Sequence, residues 1–552
     1  MKYDIIIQQG FIVNGTGNPG FIGDVGIVGN EIIKVSSRIQ EKADRVIKAE
    51  GMLVCPGFID PHVHEELVVL DDGLFEVFLR QGVTSIINGN CGHSVTPGTS
   101  AEIFEYMHKN GLISRKARDR YTKNIPKWHD FSSYTQVILG KGTNVNMGFL
   151  LGHGTIRWQV MGEPMDRPPT LEEEKKINQI VEEGMWQGTL GISTGLNYIP
   201  GRYANTEELI KVAKIVAAYD GVYTSHLRNH IGYLEAVKEA IKIGSKSKAR
   251  VQVSHLTPTV PQAFDEILKA RKKGVEIAVD TIPKSTGHCT RKDRLLFFIS
   301  ALSSEFFDSG EKGVKMALKT KNGRQEIMKD KTLFDEDKGK TILINTDNPE
   351  LENKTIGELA QQKNCSIDKI IFELLSSNND QLSFWLGGRI RKDFPDKVHP
   401  ENIRSNPLVM VGSDTIMGEY NDPFCWYELQ RRGAFPIFYE MYHNAGVRLE
   451  EIIRRITSLP AQQFRLDKRG LLLEGMIADI SVINLEQYSY PSPEQVDYKK
   501  PLTMANGVQY VLVNGKLALE VEKVIPVYSG EILYGKTTSK NIQLKKRRKN
   551  KK

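Results

Sequence analysis

Cysteine is scarce in this chain: five occur among 552 residues, at positions 55, 91, 289, 365 and 425. Five scattered cysteines do not form the disulfide framework of a secreted protein, so we expect a reducing, cytoplasmic location. Long hydrophobic runs are also missing, because no apolar segment approaches the roughly 18 residues of a membrane-spanning helix. We therefore expect neither a transmembrane helix nor a signal peptide. With 40% hydrophobic and 26% charged residues, the composition is typical of a folded globular chain.

A charge of one sign is concentrated only at the C-terminal end. Residues 536–552 carry nine lysines and arginines and no acidic residue, and without them the formal net charge of +7 becomes −2. The rest of the chain therefore lacks the basic excess of nucleic-acid-binding proteins, and we expect no specific nucleic-acid partner. The tail is polar and basic, and we expect it to be disordered.

Both ends of the chain are rich in short β-type segments. Turn signals such as Asn-Gly and Gly-Asn separate segments at 4–8, 10–14, 24–28, 31–35, 480–483, 509–513 and 516–519. The pattern predicts one small β-sandwich-like domain built from both termini, residues 1–52 and 471–535.

The middle of the chain alternates apolar strands with helical patterns. Eight apolar runs, each followed by polar or small residues, lie at 55–59, 84–87, 145–151, 189–192, 222–223, 251–253, 275–279 and 407–411. Helical segments lie between several of them, including one that a capping box at Thr170 and Glu173 begins. Alternation of this kind predicts an α/β fold with a parallel sheet, and eight strands predict a (β/α)₈ TIM-type barrel. We place the barrel at 53–470, with an insertion around 285–400.

Metal-ligating residue types follow these predicted strands. His62 and His64 form a His-x-His pair, and residues two apart on a strand share one face. His226, His255 and Asp414 follow the fifth, sixth and eighth strands. In a barrel of this kind the C-terminal strand ends meet at one mouth, where the active site lies. Four histidines and a carboxylate there predict a metal centre, with enough ligands for two ions, and zinc suits these donors.

Cys91 follows the second strand between Asn90 and Gly92, and we interpret it as a thiolate ligand of the same centre. The other four cysteines are interpreted as small core residues or surface thiols without a role. His153, in a Gly-His-Gly segment after the third strand, is open to two readings: a contact near the substrate or a packed structural histidine. No role is assigned to the remaining histidines, at 93, 129, 230, 288, 399 and 443.

The motifs together resemble the amidohydrolase superfamily and, within it, the D-aminoacylase (N-acyl-D-amino-acid deacylase) family. The matching segments are PGFIDPHVH at 56–64, GNCG at 89–92, GHGT at 152–155, GISTGL at 191–196, PGRYA at 200–204, SHLR at 225–228, SH at 254–255, GSD at 412–414, TSLPA at 457–461, RG at 469–470 and AD at 478–479. They extend to about residue 535. His-x-His marks only the superfamily, whereas the Asn-Cys-Gly segment is more specific. Most superfamily members bridge their metals with a carboxylated lysine, and no lysine stands at the end of strand three or four.

The resemblance implies a role for each ligand. His62 and His64 would hold a more exposed, weaker metal, and Cys91, with His226 and His255, would hold a tight zinc. Asp414 would also bind metal, take a proton from the hydrolytic water and pass it to the leaving amine. The resemblance further implies a small-molecule substrate, an N-acyl-D-amino acid or a similar compound, no membrane partner, and compatibility with a homo-oligomer.

The sequence departs from the family on the substrate side. The acidic pair after His-x-His is Glu65-Glu66, Ile282-Pro283-Lys284 replaces Tyr-Pro-Tyr, and Asp422-Pro423-Phe424 replaces His-Pro-Arg. A substrate carboxylate needs a cationic partner, so we name candidates that could replace the missing arginine. The candidate substrate-binding residues are Arg228, Lys284, Tyr198 and His153, with Arg431 and Arg432 as further cations.

Two other functions are open. Cyclic-amide hydrolysis, as in hydantoinases and dihydroorotases, uses the same fold, but the Asn-Cys-Gly segment and the missing lysine argue against it. A non-catalytic scaffold with a nucleic-acid-binding tail is the other alternative. Loss of metal ligands would be expected in such a descendant, and every expected ligand is present.

Overall fold

The computed structural model describes residues 2–536 except 114, 163–164, 257–259, 284–287, 304, 330–338, 340, 346–347, 353, 380–381, 387–398, 400, 416–427 and 492–502. The predicted disordered tail therefore lies outside the described residues, apart from Lys536. Within these ranges, every helix is too short or too polar to cross a membrane.

The two ends of the chain form one β-domain, as predicted. Nine strands lie in a single sheet with the order β20-β19-β18-β17-β5-β1-β2-β3, and β4 pairs with β1. Its strands are β1 Tyr3–Ile12, β2 Phe21–Val28, β3 Glu31–Ser36, β4 Ala43–Lys48, β5 Leu53–Pro56, β17 Ile480–Ile483, β18 Val508–Val513, β19 Lys516–Glu520 and β20 Lys523–Val524. The two segments predicted at 4–8 and 10–14 are one strand, β1, whose register shifts between Ile7 and Gly10. An apolar core of its own stabilises the sheet.

The predicted barrel is confirmed. Eight parallel strands are neighbours in chain order, and a parallel bridge between Val63 and Thr415 links the chain just after the first strand to the chain just after the last. The strands are β6 Phe58–Asp60, β7 Val83–Asn88, β8 Asn146–Gly152, β9 Gly191–Gly195, β10 Val222–His226, β11 Arg250–Val253, β12 Ile277–Thr281 and β16 Val409–Val411. A short strand, β21 Ile532–Leu533, pairs with β8 at Met147 and Gly148. The pairing of β8 with β9 begins further along β8, at Leu150.

The first barrel strand begins later than the expected residue 55. Cys55 and Pro56 belong to β5, where they pair with Ser481 and Ile480 of the terminal sheet. Gly57 separates the two sheets, and a Cβ there would lie 2.3 Å from the side chain of Thr84. The chain therefore changes sheets at a position where only glycine fits.

The helices surround the barrel and its insertion. They are α1 Val68–Asp71, α2 Glu76–Leu79, α3 Ser100–Lys109, α4 Arg115–Asn124, α5 Phe131–Lys141, α6 His153–Met161, α7 Leu171–Gln187, α8 Thr206–Ala218, α9 Tyr233–Ser247, α10 Pro261–Lys272, α11 Lys292–Leu302, α12 Gly310–Ala317, α13 Lys321–Lys329, α14 Ile356–Gln362, α15 Ile367–Leu375, α16 Glu401–Arg404, α17 Glu428–Asn444, α18 Leu449–Ile456 and α19 Ser458–Gln463. The predicted capping box is present, because the Thr170 side chain accepts a hydrogen bond from the backbone of Glu173, whose carboxylate bonds back to Thr170.

A separate unit lies between β12 and β16, within the expected insertion. Its three antiparallel strands are β13 His288–Arg291, β14 Ile342–Asn345 and β15 Ser383–Leu386, in the order β13-β15-β14. Helices α11 to α15 pack with them around an apolar core of their own. Tyr198, which follows β9, packs against that core. The insertion therefore reaches the C-terminal end of the barrel strands.

Candidate metal centre

The six predicted metal ligands meet at the C-terminal mouth of the barrel. They follow or end five different strands: His62 and His64 follow β6, Cys91 follows β7, His226 ends β10, His255 follows β11 and Asp414 follows β16. His255 is half-buried, and the other five side chains are buried. Five strands that are distant in sequence thus bring nitrogen, sulfur and oxygen donors to one place.

The donor atoms form two groups that share Cys91. The Sγ of Cys91 lies 3.3 Å from Nε2 of His62, 3.7 Å from Nδ1 of His226 and 3.4 Å from Nε2 of His255. The Oδ1 of Asp414 lies 3.4 Å from His62 Nε2 and 3.5 Å from Nε2 of His64. Around a tetrahedral zinc with bonds of about 2.0–2.3 Å, neighbouring donor atoms lie about 3.3–3.6 Å apart. The spacing of these side chains therefore fits a metal ion in each group.

The backbone of three of these residues is in the left-handed region. The φ angles are 52° at Cys91, 34° at His255 and 49° at Asp414. This conformation costs residues with side chains about 1–3 kcal/mol each and is concentrated at functional sites. Each of the three follows a strand, so the positive φ turns its side chain towards the common centre instead of continuing the strand.

Hydrogen bonds fix the loop that carries Cys91. The Nδ2 of Asn90 donates to the carbonyl of Ile87 at 2.8 Å, and the backbone nitrogen of Gly92 donates to Oγ of Ser193 at 3.0 Å. Gly92 has a φ of 78°, and a Cβ there would lie 2.5 Å from the backbone nitrogen of Gly195. The Asn-Cys-Gly segment therefore needs its glycine to bring the thiol close to the neighbouring strand end.

The charges of the cluster support one another. Burial opposes ionisation of the Cys91 thiol, but the neighbouring His62 and His255 hold its pKa well below the ordinary value. Burial likewise opposes a charge on His64, yet Asp414 and Cys91 raise the pKa of this imidazole to about 10. The pKa of Asp414 is lowered in spite of burial, through its hydrogen bond with His64. The buried anionic forms of Cys91 and Asp414 thus favour positive charge on the imidazoles between them. The thiolate is the form of cysteine that binds metals.

Asp280 is a functional residue that the sequence analysis did not assign. Its Oδ1 lies 3.3 Å from Nδ1 of His62 and accepts a hydrogen bond from the backbone nitrogen of His255 at 2.8 Å. Its Oδ2 accepts a 2.7 Å hydrogen bond from Nε2 of Gln252. A carboxylate behind a metal-binding imidazole fixes the ring and its tautomer. The signal for this role was the position of Asp280 directly after the seventh predicted strand.

Tyr198 and His93 lie beside the cluster. The Tyr198 ring contacts the imidazole of His226, with centroids 4.6 Å apart, and the ring of His93, with centroids 5.3 Å apart. Burial lowers the pKa of His93 to about 3, and repulsion from His64 contributes to the shift. The structure therefore places the predicted Tyr198 at the site and adds His93, which is two residues beyond Cys91.

Two of the predicted substrate contacts, Arg228 and His153, are bonded to other groups of the protein. The guanidinium of Arg228 bonds to Glu239 at 3.1 Å and to the carbonyls of Arg202 and Ala204, each at 2.6 Å. It therefore supports the 201–204 loop. Of the two alternatives for His153, the packed histidine describes its position. Its ring is completely buried, and Nε2 lies 2.9 Å from a carboxylate oxygen of Glu208 on α8.

Of the remaining predicted cations, the structure describes the side chain of Arg432, and the roles of Lys284 and Arg431 stay predictions. Lys284, Asp422, Pro423 and Phe424 lie outside the described residues, as does the side chain of Arg431. Arg432 is buried, and the nearby backbone nitrogen of Phe435 donates to Gln81, which precedes β7 at the opposite end of the barrel.

A parallel eight-stranded barrel with a His, Cys and Asp cluster at its C-terminal mouth has the architecture of a metal-dependent hydrolase. The amidohydrolase family profile matches residues 141–518, more than half of the chain, and the chain belongs to this family.

Similarity to individual proteins extends over nearly the whole chain. N-acyl-D-glutamate deacylase of Alcaligenes xylosoxydans xylosoxydans is 25% identical over 529 residues, which are 93% of each chain. D-aminoacylase of the same organism is 26% identical over 542 residues, 96% of this chain and 97% of its own. The fold is similar to a crystal structure of N-acyl-D-glutamate deacylase from Bordetella bronchiseptica, complexed with zinc and a phosphonate inhibitor, with a TM-score of 0.70 and 23% identity. That likeness covers 97% of this chain and all of the other.

Proposed function

We propose that this protein is a zinc-dependent hydrolase that cleaves the amide bond of N-acyl-D-amino acids, releasing a carboxylate and a free amine. The observation that carries the proposal is the position of Cys91, whose sulfur lies 3.3–3.7 Å from nitrogens of His62, His226 and His255. Full-length similarity to N-acyl-D-glutamate deacylase and D-aminoacylase supports a linear N-acyl substrate of the D configuration.

The described residues fit two zinc ions, and the two groups of donor atoms indicate which residues would hold each ion. Cys91, His226 and His255 would hold the tight ion, and His62, His64 and Asp414 a weaker one, with Cys91 between them. Thiolate and imidazole together favour zinc over the harder divalent ions. Zinc bound there would lower the pKa of water towards 7 and polarise the amide carbonyl.

Asp414 supplies the proton transfer. Its carboxylate stays ionised, because its hydrogen bond with His64 and the positive charge of His62 outweigh the effect of burial on its pKa. An ionised carboxylate at this point can accept the proton of the hydrolytic water. The same group, once protonated, can give that proton to the amide nitrogen as the carbon–nitrogen bond breaks. Both transfers require Asp414 to face the ligands, which its positive φ provides.

The loops after the third and fourth barrel strands argue against the cyclic-amide alternative. The residues that follow β8 and β9 are His153-Gly154 and Leu196-Asn197, so no lysine is available there to bridge two metals. The scaffold alternative would leave a complete ligand set, held in a strained backbone, without use. A thiolate ligand also requires a reducing compartment, which supports a cytoplasmic location.

Amine release is the direct test. Zinc-loaded protein is assayed with N-acetyl-D- and N-acetyl-L-amino acids, and with hydantoin and dihydroorotate as cyclic amides. We expect turnover of the linear D substrates. Turnover of the cyclic amides alone, or of none of these compounds, would contradict the proposal.

Zinc content tests the thiolate. Cys91→Ala removes one of few tight ligands, so we expect the bound zinc, measured by atomic emission, to fall together with activity. Cys365→Ala, in the insertion and partly exposed, is the matched control and should leave both unchanged. Full zinc and full activity in Cys91→Ala would remove the thiolate from the site.

A further inference from the structure

His93 is a buried imidazole with one nitrogen held by the protein. It is only 4% exposed, and its Nδ1 lies 2.9 Å from the hydroxyl oxygen of Tyr106 on α3. The rings of Tyr106 and Tyr198 pack on it, with centroids at 5.7 and 5.3 Å. Contacts from Tyr106 on α3 and from Tyr198 after β9 fix the orientation of the ring.

The hydroxyl of Tyr106 determines which nitrogen of His93 carries the proton. Tyr106 is completely buried, and within the described chain its hydroxyl has His93 Nδ1 as its hydrogen-bond partner. Thr155 also lies beside this hydroxyl, but its Oγ1 already accepts a hydrogen bond from the backbone nitrogen of Ser94 at 3.0 Å, so we assign the Tyr106 proton to the bond with Nδ1. Nδ1 is then an acceptor, and the ring proton is on Nε2. Gly154 leaves space for this contact, since a Cβ there would lie 2.9 Å from the hydroxyl oxygen.

The Nε2 donor of His93 has no protein partner among the described residues, although the side chain is more than nine-tenths buried. It is not sealed inside the protein either, because Nε2 keeps some exposed surface. An oriented donor that is neither bonded nor fully enclosed is available to a ligand. A ligand that excluded water from this donor without accepting its hydrogen bond would bind more weakly.

The position of the ring indicates which part of a substrate it meets. The Tyr198 ring lies between His93 and His226, in contact with both. The scissile amide must lie at the donor atoms of the metal centre, so His93 faces the substrate beyond that bond. In an N-acyl amino acid the oxygens beyond the scissile bond belong to a carboxylate, which can only accept hydrogen bonds. Arg228, one of the predicted cations, is bound to Glu239 and two carbonyls.

We propose that His93 Nε2–H donates a hydrogen bond to the carboxylate of the N-acyl amino acid, with Tyr106 as the residue that fixes its tautomer. The inference rests on the proposed function and deepens it, because it assigns a specificity-determining residue. His93 thereby selects substrates with a free carboxylate over neutral amides.

Paired substrates test this assignment. Each N-acetyl-D-amino acid is compared with its C-terminal amide, and KM and kcat are measured separately. His93→Phe should raise KM for the acid about 10–100-fold, the effect expected for one hydrogen bond to a charged group. It should change kcat and the KM of the amide little. Tyr106→Phe should raise KM for the acid less, because it frees the tautomer without removing the donor.

Controls separate recognition from structure. His93→Gln retains an N–H at the position of Nε2 and should recover part of the affinity for the acid. His129→Phe, at a histidine whose side chain is 75% exposed, should behave as wild type. Zinc content should be unchanged in all four variants.

Three results would overturn the assignment: equal loss for acid and amide, unchanged KM in His93→Phe, or loss of zinc in that variant. Wild-type protein that hydrolyses neither member of any pair would instead contradict the proposed function itself. A wild type that is active on both, with no preference for the acid, would reject His93 alone.

Discussion

The Nδ1 of His62 lies 3.3 Å from Oδ1 of Asp280, and neither side chain is exposed to solvent. The same oxygen accepts the backbone N–H of His255, so one carboxylate contacts a residue from each of the two donor groups. With Nδ1 directed at Asp280, His62 presents Nε2 to Cys91 and Asp414. Asp280 therefore orients the metal centre without being one of its ligands.

Asp280→Asn should weaken zinc binding about 10–100-fold, the usual effect of losing the partner behind a ligand imidazole. An amide carries no charge to balance His62 and can turn its NH₂ towards Nδ1. Chelator competition measures the affinity, and Asp265→Asn, on the exposed face of α10, is the control. Unchanged affinity in Asp280→Asn would show that the contact has no orienting role.

Asp414→Asn should lower kcat about 10²–10⁴-fold, because the amide has nearly the same shape but cannot accept a proton. Zinc at the tight site should remain, since Cys91, His226 and His255 are unaltered. Steady-state rates and metal content are measured on the same preparation. Near-normal turnover would remove Asp414 from the proton transfer.

Much of the site could be predicted because a parallel barrel brings the C-terminal strand ends to one mouth. His62, His226 and Asp414 each stand next to an apolar run, so their convergence follows from the fold. Asp280 has the same position and could have been assigned by the same reasoning. Its role was missed because a lone carboxylate after a strand does not show which imidazole it will face.

The partners of long polar side chains were not predictable in this way. Arg228 bonds to Glu239 on α9, which follows the same strand as Arg228, and His153 bonds to Glu208 on α8, which follows the next strand. Sequence position placed both side chains near the mouth but gave no information on which way they turn. His93 is the opposite case, because it had no predicted role but lies at the site. The orientation of its Nε2 depends on a contact with Tyr106 that no local sequence pattern encodes.

Arg157 also bonds to the carboxylate that His153 contacts. The Nη1 of Arg157 lies 2.6 Å from both carboxylate oxygens of Glu208, and all three side chains are buried. Burial opposes the charge of Glu208, but His153 and Arg157 hold its pKa below the ordinary value of 4.5. The trio joins α6 to α8 and is the reason His153 has a structural role.

Glu208→Gln should destabilise the protein by about 3–5 kcal/mol at pH 7, because it leaves Arg157 buried without its charge partner. A carboxylate with a lowered folded-state pKa stabilises the fold fully above its unfolded pKa, and the contribution is lost as the pH falls through the folded value. The difference in the free energy of unfolding between variant and wild type should therefore shrink below about pH 4. Urea unfolding at pH 7 and at lower pH measures it. Glu207→Gln, whose side chain is 73% exposed, should be neutral at both. Unchanged stability of Glu208→Gln at pH 7 would contradict the structural role of these three side chains.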